Sequence, residues 1–228
     1  MEKEKRDSQK RRSSEKLEAA FTAEGRKLER SFFVRPGKDK VYAERALKIA
    51  GELLGKFLVR RINGKKIAGE IVEVEVYAGT KDRAAHSFGG KVTPRNKIMY
   101  GRGGVAYVYL VYGMHWQMNI IVGDSEPHCV LIRALDLGDG SRIASGPGKL
   151  CKYMELDKSF HGEDIVQSIR LWVEDRGIKV KGSDIMRDRR IGVDYAGPYW
   201  SSRKWRFYMK GNNAVSVKQK TKKSNPEK

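Results

Sequence analysis

The chain is 228 residues long, a length that suits one to two domains at ~150 residues each, and one domain with tails is the starting expectation. Lys and Arg number 47 against 28 Asp and Glu, and the resulting +19 points to a polyanion, most often nucleic acid, as partner. A hydrophobic share of 39% with 10 Tyr, 7 Phe and 4 Trp excludes disorder throughout. Cys129 and Cys151 alone cannot make a disulfide framework or a C-x-x-C zinc or redox motif. No run approaches the ~18 apolar residues of a membrane span, and the charged N-terminus lacks a signal-peptide core, so a soluble intracellular protein is expected.

Residues 1–40 carry +5 and are rich in Ser, the composition of a solvated tail, so residues 1–30 are read as a basic tail, disordered or fraying helix. Residues 218–228 are read as a second basic tail; with 211–228 carrying +4, the middle of the chain still holds +10. Lys10, Arg11 and Arg12 fit a localisation signal or a DNA arm, but runs of this kind most often only solubilise. From Asp39, the spacing Ala43, Ala46/Leu47, Ala50, Leu53/Leu54 follows the 3.6-residue period of an amphipathic helix, with Gly55 as its stop. KFLVRR, Asn63-Gly64 and the run Lys65 to Tyr77 read as a β-hairpin, because Asn-Gly is the preferred type I′ pair. A second hairpin is expected over Val105–Val122 with Gly113 near its turn, then a strand from Cys129. Pro147 suits the first turn of a helix, and late strands are expected around Ile191 and over Trp205–Met209. The sum is one α+β domain, a mostly antiparallel, curved sheet flanked by a few helices.

In I71-V-E-V-E-V-Y77, the period of two puts Val72, Val74 and Val76 on a core face and Glu73, Glu75 and Tyr77 on the other. A strand carboxylate most often faces water, whereas a general base beside an aromatic platform would also fit. Two carboxylates roughly 7 Å apart also match an inverting glycosidase pair, so spacing leaves three readings open. His86 lies in a polar, glycine-rich loop able to deliver an imidazole to a pocket. Four histidines without ligand-like spacing argue against a metal site. Tyr107 and Tyr109 share a strand face, and core packing explains at least one of them. Tyr112, beside Gly113 and Met114 at the hairpin turn, is hard to bury and could wedge into a base stack. Arg133 shares a face with Leu131 and Leu135, so it needs a carboxylate or phosphate partner. Asn119 is unreadable alone, and GPGKL lacks P-loop spacing.

Taken together and in order, GEIVEVEVYAG, AAHSFGG, TPRNKIMYGRGG, YVYLVYGMHWQMNI, VLIRAL, SGPGKLC, RIGVDYAGPYW and RFYMKG resemble the alkyladenine (3-methyladenine) DNA glycosylase family from about residue 31 to 217. The resemblance implies a 31–217 glycosylase domain and a monofunctional enzyme of base excision repair acting without a cofactor. Such an enzyme flips alkylated or deaminated purines (3-methyladenine, hypoxanthine, ethenoadenine) out of duplex DNA and hydrolyses the N-glycosidic bond. By motif position it implies Glu75 as the activator of water and Arg133 as a neighbour of the water and phosphate. It implies Tyr77, His86 and Tyr109 around the base, Asn119 disfavouring the guanine amino group, and Tyr112 with Met114 entering the DNA stack. His115 and Trp116 depart from the family's residues beside the wedge, and the 138–145 connection is shorter than in vertebrate members. The expected partner is damaged double-stranded DNA, met as a monomer with no membrane, in a nucleus or a nucleoid. The remaining readings are a non-catalytic basic nucleic-acid-binding module and a carbohydrate hydrolase using Glu73 and Glu75.

Overall fold

A computed structural model describes residues 15, 19–34, 43–124 and 126–217. The expected Asp39 cap, the Lys10–Arg12 run and the 218–228 tail lie outside the described residues. Among the described residues nine antiparallel strands make one open sheet, seven of them in the order β1(Arg26–Lys27), β7(Leu171–Asp175), β2(Phe57–Ile62), β3(Lys65–Ala78), β6(His128–Asp136), β5(His115–Val122), β4(Ala106–Val111). Off this path, β8(Ile185–Asp188) pairs with β9(Arg206–Met209), which pairs with β3. The fold is α+β, as expected.

Local chemistry explains the hairpins. Asn63 (φ 48°) and Gly64 (φ 79°) both take positive φ, as a type I′ turn requires, and bring Ile62 opposite Lys65. The β4–β5 turn also holds two residues at positive φ, Tyr112 (52°) and Gly113 (69°), but Met114 follows them, so Val111 pairs with His115 across a three-residue loop. Helices α1(Arg30–Phe33), α2(Glu44–Leu53), α3(Pro147–Tyr153) and α4(Pro198–Ser201) flank the sheet. The apolar stripe of α2, Ala46, Ile49, Ala50 and Leu53, joins Ile71, Val74, Val76 and Ile132 in the main core. Residues 19–30, assigned to the tail on composition, are placed against this unit. β1 pairs with β7, Leu28 enters the core, and the Phe21 ring meets Phe57 edge-on at 5.1 Å.

Three expectations are corrected. Val72 does not join Val74 and Val76; it packs with Ala134 and Tyr208, because the β3–β6 register shifts between Ile71 and Glu73 and again between Glu73 and Val74. The same irregularity sends Leu135 into the main core, away from Arg133. Ile191 lies not in a strand but in the turn after β8, where its backbone is free to donate elsewhere. No described helix is long and apolar enough to cross a membrane.

Candidate active site

The open end of the sheet, the loop carrying His86 and the turn after β8 enclose a cavity of about 430 Å³, within the range of small-ligand sites. Its lining includes Tyr77, His86, Tyr109, Asn119 and Arg133, five of the residues singled out from sequence, with Tyr112 at its edge. No lysine lines it. Met114 is not part of it: that side chain, 71% exposed, lines a neighbouring cleft with His115 and Trp116.

Neither glutamate faces water, because the turn after β8 and residues 214–217 cover this side of β3. Glu75 is fully buried, and three donors converge on it. One carboxylate oxygen accepts the Ile191 N–H at 2.8 Å; the other accepts the Tyr77 hydroxyl at 3.0 Å and the Arg133 guanidinium at 3.2 Å. All three donors border the cavity, so the carboxylate stands directly behind its wall. Burial pushes the Glu75 pKa up, opposed by Arg133, the Ile191 N–H and Tyr77, with Glu73 adding a further upward push. Burial wins, so Arg133 restrains protonation without abolishing it, and the carboxylate is a stronger base than an exposed Glu.

The aromatic wall is built by side-chain pairing. The His86 and Tyr109 rings meet edge-to-face with centroids 4.6 Å apart, and Tyr107 lies 5.1 Å from Tyr109. A planar base needs about 7 Å between flanking rings, twice the contact distance, so His86 and Tyr109 act as one wall and cannot sandwich a base between them. His86 Nδ1 lies 2.7 Å from the Tyr107 hydroxyl, within hydrogen-bond distance. Burial, then Arg95, lowers the His86 pKa to about 4, so the imidazole is neutral at physiological pH. Asn119 is buried on β5, donating to the Tyr107 carbonyl at 3.4 Å and accepting from the Cys129 thiol at 3.5 Å.

Sequence reasoning missed the parts that hold this arrangement. Asp82 and Arg190, both completely buried, pair at 2.5 Å, and Arg190 also donates to the Val76 carbonyl. Asp82 accepts the N–H groups of Ala78 and Ala84. This pair ties the loop that leads to His86 to the turn that carries Ile191, and Arg190 lies over the Tyr77 ring at 4.9 Å. Tyr195 at the cavity edge was also missed; its hydroxyl donates to the Ala84 carbonyl. The run RDRRIGVDY offered charge as a signal, but nothing to say which arginine is buried.

The family profile described as Methylpurine-DNA glycosylase (MPG) matches residues 40–213. A relative from Desulfitobacterium hafniense, named "Putative 3-methyladenine DNA glycosylase", is 40% identical over 199 residues, covering 78% of this chain and 96% of its own. Relatives with the same name from Borreliella burgdorferi (39% over 181 residues, 77% of this chain and 96% of theirs) and Alkaliphilus oremlandii (38% over 214 residues, 84% and 100%) are similar.

Proposed function

The chain belongs to the methylpurine-DNA glycosylase family, and from that membership we propose that it flips alkylated or deaminated purines from duplex DNA and hydrolyses their N-glycosidic bond with water activated by Glu75. The observation that carries this reading is a fully buried carboxylate held by Arg133, the Tyr77 hydroxyl and the Ile191 N–H at the wall of an aromatic cavity. In the hydrolysis, the water oxygen bonds to the sugar C1′ and its proton goes to Glu75. The C1′–N bond breaks with its electron pair leaving on the base. A base alkylated on the ring departs neutral, while a neutral purine departs as an anion unless protonated, so alkylated purines are the easier substrates.

Flipping costs a few kcal/mol, least for a damaged or mispaired base. Tyr112, 88% exposed and held at positive φ, suits the gap that the flipped nucleotide leaves. Tyr77, with His86 and Tyr109 as the joint wall, gives the base aromatic faces that attract cationic rings more than neutral ones, and neutral His86 does not repel them. Asn119 would bear on guanine's amino group. Met114, outside the cavity, would contact DNA beside Tyr112. With water as the nucleophile no Schiff base forms, so base release would leave an abasic site without strand cleavage. The enzyme would act as a monomer wherever the cell keeps its DNA, through the 31–217 domain with residues 19–30 completing the sheet edge.

The test uses a duplex with one ethenoadenine or deoxyinosine, treated with wild type or Glu75→Gln and scored for abasic sites before and after alkali. Wild type should release the base and leave alkali-labile sites, while the variant binds without release. Equal binding with no release by either protein would replace this reading with a non-catalytic DNA-binding module.

A further inference from the structure

A second cavity, about 380 Å³, lies beside the β8–β9 hairpin and is lined by Arg187, Tyr199, Ser202, Arg203, Lys204 and Trp205. Three of these six carry positive charge and none is acidic. The nearest candidate counter-charge in sequence, Asp188, points away, because alternation along β8 sends its carboxylate to Arg206 at 3.0 Å. Arg203 is stacked against the Tyr199 ring at 4.3 Å and donates to the Tyr199 hydroxyl, while its Nε is closed off from water with no hydrogen-bond partner. The Arg187 guanidinium lies over Phe207 at 4.6 Å and donates weakly, at 3.4 Å, to the Lys204 carbonyl. These contacts fix two guanidinium planes beside a hollow that the exposed Lys204 also lines, and no carboxylate among the described residues pairs with any of the three. Like charges gathered this way repel, and a phosphate relieves the repulsion while accepting from all three.

The same two segments border both cavities. Ile191 and Tyr195 line the first; Arg187 and Tyr199, four residues before and four after them, line the second. Four residues of extended chain reach at most about 14 Å. That span matches about four nucleotides at ~3.4 Å per step along one strand.

We propose that Arg187, Arg203 and Lys204 form a phosphate-binding site that holds a phosphodiester of the duplex within about four nucleotides of the flipped base. The site anchors DNA outside the lesion cavity and takes no part in bond cleavage. This rests on the family's DNA substrate and not on the role given to Glu75.

The test compares Arg187→Gln/Lys204→Gln with a control pair, Lys48→Gln/Lys65→Gln, that removes the same charge from α2 and the β2–β3 turn. Binding to a 24-base-pair ethenoadenine duplex is measured over a range of salt, and excision at saturating enzyme is followed separately. Each lost phosphate contact lowers the log–log salt slope by about 0.9, so the site variant should be less steep by about one to two and the control pair unchanged. Affinity near 0.1 M salt should fall about tenfold, with saturated excision within twofold of wild type. A neutral methylphosphonate placed one to five nucleotides from the lesion should weaken wild type at one or two positions and leave the site variant indifferent there. Identical slopes for the two paired variants would overturn the proposal. So would protection against heat by inorganic phosphate in wild type alone with DNA slopes unchanged, which would make the hollow a free-anion site. Either result with excision intact leaves the glycosylase reading standing.

Discussion

Glu73 and Glu75 lie two residues apart on β3, and both are completely buried, yet their surroundings differ in kind. Glu73 is saturated from within the protein. Arg206 pairs with one of its oxygens at 2.8 Å, Arg133 lies 3.5 Å from the same oxygen, and the Ser216 N–H reaches the other at 2.7 Å. Glu75 shares Arg133 but otherwise has a single N–H and a tyrosine hydroxyl, and those groups border a cavity. A carboxylate bound by fixed charges serves the fold, whereas one left under-compensated at a cavity wall retains basicity for chemistry. The β3–β6 register shifts on either side of Glu73 separate the two environments.

The sharpest way to break this comparison is to exchange roles. Glu75→Gln should lower single-turnover excision by about 10²–10⁴-fold, the usual worth of a general base. Its folded pKa lies above the unfolded value, so ionisation of Glu75 opposes folding as pH rises above about 4.5, fully so above the folded pKa. The variant should therefore be no less stable than wild type at pH 8, and its stability should fall less between pH 5 and 8. A clear loss of thermal stability at pH 8 would mean that Glu75 is structural after all.

Glu73→Gln should do the reverse. It leaves Arg206 and Arg133 under-compensated inside the sheet and should cost about 3 kcal/mol, read by denaturant unfolding. In the protein that stays folded, the Glu75 pKa should drop, because the Glu73 charge helps raise it. The acid limb of the excision profile, which in wild type should lie above the ordinary Glu range, should then move to lower pH. A limb that stays in place would show that Glu73 does not tune its neighbour.

Glu70, on the same strand, supplies an uncompensated carboxylate with no cavity. It is buried with one oxygen unpartnered, and burial with the nearby Asp136 charge raises its pKa to about 7. The sign is the same as for Glu75: the penalty is absent below about 4.5 and complete above about 7. Glu70→Gln should therefore stabilise the protein at pH 8 by roughly 1–3 kcal/mol, with little effect at pH 4.5 and none on excision. A change in excision would mean that buried charge on β3 is coupled more widely than the pairwise contacts allow.

The strands and turns were legible where the signal was local. Asn63-Gly64 dictated one turn, the alternating aromatics of Val105–Tyr112 marked a strand, and Pro147 opened a helix. Side-chain direction along β3 was not legible, because the register shift near Val72 comes from pairing with β6, about 60 residues later in the chain. The site residues became legible as a set through the ordered motifs rather than through spacing, which left Glu73 and Glu75 equivalent. What fixes Glu75 was invisible: a backbone N–H has no letter, and Asp82 with Arg190 is a pair closed across 108 positions. Exposed basic residues concealed the buried arginines among them.

The smallest effect concerns the hairpin tip, where the fold and the proposed chemistry oppose each other. Tyr112 adopts φ 52° in open solvent with no cavity to fill in the core, so its side chain gives the fold nothing in return for the left-handed conformation. Tyr112→Gly removes that strain, and the gain is set against the larger freedom of glycine in the unfolded chain, leaving a net change within about 1 kcal/mol. Excision from duplex DNA should nevertheless fall about tenfold, because unstacking is no longer offset by an aromatic. Excision from a single strand, where no stack must be opened, should change much less. Equal losses on both substrates would show that Tyr112 acts as cavity wall, and the division of β3 and its neighbours into fold and chemistry would have to be drawn nearer the tip.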